Sequence, residues 1–145
     1  GVLTPLAPTA VNPVTRRLLD EIDDPELAAF AMAWDSLEEC LVWIYREGSC
    51  PPEVEQRHDG LRLSLDRDLG VWEEDLRPFW QATRIDGAAV KHSPFRTVLA
   101  ARRPGDVVGN RDLMRTLPAA REAINHLLLE RGARSDSKGP GPRRG

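Results

Sequence analysis

Between Asp24 and Gly48, apolar side chains recur at Leu27, Phe30, Trp34, Leu37, Leu41 and Ile44, in alternating steps of three and four. That spacing gathers them on one face of an α-helix; a strand, with its period of two, would scatter them over both sides. The ends are marked too. Asp24 is a good N-cap, Pro25 carries the fixed φ suited to a first helical position, and Glu26 sits near the positive end of the helix. Gly48 supplies a residue that tolerates the left-handed conformation closing a helix. Ala29, Ala33, Ser36 and Cys40 form a second stripe of small residues on which another helix can pack closely. Met32, Val42 and Trp43 widen the apolar arc. A helix of about 33 Å, at 1.5 Å per residue, with apolar surface on more than one side is expected at the centre of a bundle.

The remaining sequence fits that frame. A chain of 145 residues, 41% hydrophobic and 30% charged, has the composition of one globular domain. A domain of this size buries roughly 68–70% of its unfolded surface and needs no disulfide or metal to hold a core. Residues 1–12, with Pro5 and Pro8, predict an extended arm; 13–132 form the helical domain; 133–145 predict a flexible tail. Asn12 and Pro13 open a short helix to about Ile22. Asp59-Gly60 is a turn signal, and Leu61, Leu63 and Leu65 alternate with polar residues, so a small β element is expected near 61–67. Further helices are expected at 71–84, with a kink at Pro78, and at 95–102. Asn110 predicts a cap for a short helix over 111–116, and Pro118 a break before a second helix that stops at Gly132. Those two helices make a helix-turn-helix outline. The expected fold class is therefore mainly α, a compact bundle around helix 25–47.

No apolar run reaches the ~20 residues of a membrane span, and the N-terminus lacks the pattern of a signal peptide. Without a secretory signal, Cys40 and Cys50 are read as reduced thiols, and a cytoplasmic location is expected. Eighteen Arg against two Lys is the bias of a GC-rich, bacterial-type genome. Asp66, Asp68, Glu73, Glu74 and Asp75 resemble a calcium loop only superficially, because Val71 and Arg77 stand where that loop needs glycine and glutamate. Glu122, His126 and Glu130 share one helix face, but it lies opposite Ile124 and reads as solvated surface. His58 and His92 are expected in loops, and nothing sequential joins either to Cys50 as a nucleophilic pair. No catalytic residue, metal ligand or cofactor is assigned.

Charge is unevenly spread. Residues 1–80 carry seven Arg against 17 Asp and Glu, a net of −10, and residues 81–145 carry 13 Arg and Lys against six, a net of +7. Either the halves neutralise each other within the fold, or the basic half presents a face to an anionic partner. The leading expectation is a non-enzymatic interaction or regulatory module that binds a protein partner or itself. The alternative is a nucleic-acid-binding protein in which Arg96, Arg102, Arg103, Arg111, Arg115 and Arg121 contact phosphates around the helix-turn-helix outline.

Overall fold

The computed structural model describes residues 12–138. Its elements run α1 (Pro13–Leu19), α2 (Pro25–Glu47), α3 (Pro52–Gln81), the two-residue strands β1 (Arg84–Ile85) and β2 (Ala88–Ala89), α4 (Pro94–Leu99), a 3-10 turn (Pro104–Asp106) and α5 (Arg111–Lys138). Four of the five helices open on proline, whose missing N–H costs nothing in the first turn. The caps are chemically matched. Asn12 accepts from the N–H groups of Val14 and Thr15, Asp24 from Leu27, Ser93 from Arg96 and Asn110 from Leu113. Gly48 closes α2 at φ 71°, as its position predicts.

The fold is mainly α, and the apolar face of α2 is the heart of it. All six of its stepped side chains are buried. Trp34 meets Phe95 edge-on at 4.9 Å between ring centroids and Phe30 at 6.4 Å. α2 packs on α3 and α5, while α5 touches each of the other four helices. Thr15 Oγ1 donates to Asn125 Oδ1 at 2.7 Å, fastening α1 to α5. The small stripe on α2 serves only in part, since Cys40 is buried, Ala33 and Ser36 are half-buried and Ala29 faces solvent, as does Met32 of the wider apolar arc. No helix among the described residues is long and apolar enough to cross a membrane.

Three expectations are corrected. The β element is not near 61–67, because those residues lie inside the 30-residue helix α3. Its buried positions Val54, His58, Leu65, Leu69, Trp72, Leu76 and Trp80 step by three, four or seven, and that periodicity overrides the short alternation. Leu63, the middle of the supposed strand, is 54% exposed. The antiparallel pair stands instead at Arg84↔Ala89 and Ile85↔Ala88, around Asp86 and Gly87, both at positive φ. Residues 111–138 make one helix and not two, so the helix-turn-helix expected around Pro118 does not form. Leu113, Leu117, Ala120, Ile124 and Leu127 stay buried and in phase across Pro118, and their burial outweighs the ~3 kcal/mol that an interior proline costs. Nor does α5 stop at Gly132, which packs beside Glu21 and Ile22, so the expected tail is helical as far as Lys138. The expected N-terminal arm lies outside the described residues except for Asn12.

Candidate binding groove

One flank of α2 is left uncovered, and it carries Asp35, Glu39, Val42, Trp43, Arg46 and Glu47 beside the buried Glu38. Asn12, at the start of α1, and Arg121, from α5, complete the wall of a concave groove of about 410 Å³. This lies within the roughly 300–1,000 Å³ common for binding sites. Each boundary residue is held by a local bond. Asn12, fixed as the cap of α1, donates its own N–H to Asp35 Oδ1 at 3.2 Å. Arg121 Nε donates to Glu38 Oε1 at 3.1 Å, and a second guanidinium nitrogen bonds Oε2, a forked pairing across α5 and α2.

The electrostatics of this groove are unbalanced. Four carboxylates (Asp35, Glu38, Glu39 and Glu47) share the wall with two guanidinium groups, and one of those is committed to Glu38. Burial pushes the Asp35 carboxyl above its usual range, against the opposing pull of the Asn12 N–H and Arg121. Burial likewise raises Glu38, outweighing its bond to Arg121, and raises Glu39, outweighing the attraction of Arg57. Three acids at positions i, i+3 and i+4 of one helix thus sit where water stabilises their anions poorly. Trp43 adds flat apolar surface, and its indole N–H is buried without a hydrogen-bond acceptor among the described residues.

A second, shallower cleft of about 300 Å³ lies beside the β hairpin, lined by Ile85, Val90, Lys91, His92, Thr97 and Thr116 among others. Neither cleft joins a histidine or cysteine to acidic residues. His58, expected in a loop, is buried on α3. Burial lowers its imidazole pKa, helped by Arg62. Cys40 is buried and its thiol is pushed up to about 11, chiefly by that burial, so it is not a poised nucleophile. Glu122, His126 and Glu130 are exposed as expected, with His126 stacked on Phe79 at 5.8 Å. Among the described residues no three His, Cys, Asp or Glu side chains converge as metal ligands.

The six arginines singled out from the sequence do not form one set. Arg96 forks onto Glu73 at 2.8 and 2.9 Å and also reaches Asp66. Arg115 pairs with Asp112 and Asp86, and Arg121 is held in the groove by Glu38. Arg102, Arg103 and Arg111 are exposed, the first two donating their backbone N–H groups to Asp106. Asp35, Glu39 and Arg46 were not singled out from the sequence, and Trp43 was read only as part of the apolar arc of α2. Their signal was there: an acidic triplet interrupting the most apolar helix of the chain.

The chain matches no family model, no curated protein and no solved structure closely enough to establish kinship.

Proposed function

We propose that the protein is a non-enzymatic interaction module whose α2 groove receives a lysine or arginine side chain of a partner protein. The observation that carries this reading is the acidic triplet Asp35, Glu38 and Glu39, half sunk in a concavity that holds fewer cations than anions. A guest ammonium or guanidinium would stabilise anions that burial disfavours, and a guanidinium can fork onto a carboxylate as Arg121 already does onto Glu38. Trp43 would contribute apolar contact for the aliphatic stem of such a side chain. The nucleic-acid alternative has less support, because Arg96, Arg115 and Arg121 are each engaged by carboxylates.

The test is calorimetric titration with a short arginine-rich peptide and with the same peptide carrying citrulline, which keeps the shape and loses the charge. The arginine peptide is expected to bind, and Asp35→Asn with Glu39→Gln to weaken it by at least about tenfold. Equal binding of the citrulline peptide, or indifference to the double substitution, would overturn the proposal. A fluorescent DNA duplex run in parallel should bind negligibly at physiological salt. Tight, steeply salt-dependent binding lost in Arg102→Glu with Arg111→Glu would establish the alternative instead.

A further inference from the structure

Gly60 and Gly70 stand inside α3 on its solvent side, and a Cβ on either would meet nothing within 4 Å among the described residues. Glycine weakens a helix interior relative to alanine, so nothing among the described residues of one copy accounts for either residue. Gly132 differs. The position of its missing Cβ lies 3.7 Å from Glu21 and 3.8 Å from Ile22.

Gly60, Leu63, Arg67 and Gly70 recur in steps of three and four, opposite the face that buries Val54, His58, Leu65, Leu69, Trp72 and Leu76. Leu63 is 54% and Val71 66% exposed, two of the most exposed large apolar side chains among the described residues. The steps continue outward to Gln56 and Glu53 in one direction and to Glu74 and Arg77 in the other, all exposed. This is the spacing of a heptad seam on a helix of 30 residues.

We infer that α3 pairs with α3 of a second copy, antiparallel, about a two-fold axis level with Leu65. The commitment to a second copy follows from the charge order. An axis there sets Glu53 opposite Arg77 of the other copy, Gln56 opposite Glu74, Leu63 against the stem of Arg67, and Gly60 against Gly70. Each contact occurs twice, as an isologous interface requires. A parallel pair would instead set Arg67 against Arg67 and Glu74 against Glu74. The glycines, symmetrically placed about the axis, let the two backbones approach closely, and Leu63 and Val71 are covered beside them. Arg77 bonds Glu74 within its own helix at 2.9 Å yet stays 45% exposed, so it is in reach of Glu53 across the seam. The seam shares no residue with the α2 groove.

Sedimentation equilibrium of the full chain over a wide concentration range tests this. A reversible monomer–dimer equilibrium is expected, weakened at least about tenfold by Gly60→Leu with Gly70→Leu. Because both positions open onto free space, those substitutions should leave the monomer's thermal unfolding unchanged or raise it. Glu53→Arg and Arg77→Glu should each weaken the dimer, and their combination should restore it. A monomer at every concentration, a dimer indifferent to the leucines, or a failed charge-swap rescue would each overturn the inference.

Discussion

Arg121 and Glu38 stand 83 residues apart in the chain, and their side chains meet in a fork that joins α5 to α2. The pair belongs to a wider arrangement. Arg96 holds Glu73 and Asp66, and Arg131 bridges Asp24 and Asp75 while lying 5.7 Å over the ring of Trp72. Three arginines of the positive half thus reach five carboxylates of the negative half. The lopsided charge of the sequence is, at these positions, a set of internal contacts.

Removing one member of the Arg121–Glu38 pair should cost more than removing both. Arg121→Met leaves a buried carboxylate without its partner and is expected to destabilise by about 2 kcal/mol. This is less than the ~3–5 of a fully buried pair, because the arginine side chain keeps 35% of its surface. Adding Glu38→Leu should recover most of the loss. Denaturant melts of the two single and one double variant form the cycle, and simple additivity would contradict this account.

Trp34→Ala should be severe. The side chain is buried to 1%, packed edge-on against Phe95 and stacked on Phe30, so its removal leaves a large cavity between α2 and α4. A loss on the order of 3–5 kcal/mol is expected in thermal or urea unfolding. A value under about 1 kcal/mol, typical of surface changes, would be inconsistent with this core.

His58 gives the fold a pH dependence of definite sign. Burial, reinforced by Arg62 and opposed by Asp59 and Glu55, lowers its pKa below 6.5, and neither ring nitrogen has a hydrogen-bond partner among the described residues. Well above 6.5 both folded and unfolded chains hold a neutral ring, and His58 contributes no pH dependence. As pH falls through that value the unfolded chain takes up the proton first, so stability drops until the folded ring is protonated too. Urea melts at about pH 7.5 and about pH 5.5 should show His58→Leu losing less stability on acidification than the parent. It should also gain about 1 kcal/mol at the higher pH by removing unsatisfied buried nitrogens. An unchanged pH slope in the variant would exclude His58 as its source.

The readable parts of the fold were those with several agreeing signals. α2 had a six-member stripe, a cap, a proline and a terminal glycine, and each took its predicted place. The chain also holds two Asp-Gly pairs. Asp59-Gly60 lies inside a helix because buried residues step regularly on both sides of it, whereas Asp86-Gly87 turns a hairpin because its neighbours carry no such register. A local turn signal yields to a long-range periodicity. Pro118 and Gly132 misled for the same reason, since burial against α1, α2, α3 and α4 keeps α5 helical through residues that an isolated helix would not tolerate. The groove was harder to read. Asn12, Asp35, Glu38 and Arg121 converge only once α1, α2 and α5 have docked, and no spacing along the chain encodes that docking.

That α5 touches every other helix has a bearing on how the protein is made. A ribosome delivers α1 to α4 first, and while they wait their inner faces lack the surface they are shaped to cover. The segment through residue 80 also emerges with its net charge of −10 uncompensated, since Arg96, Arg121 and Arg131 are still to come. Mutual repulsion of those carboxylates works against early collapse of the segment. Arg96 arrives with α4, and synthesis of α5 then delivers the missing apolar face together with Arg121 and Arg131, so the last helix made is the one that completes both the core and the internal ion pairs.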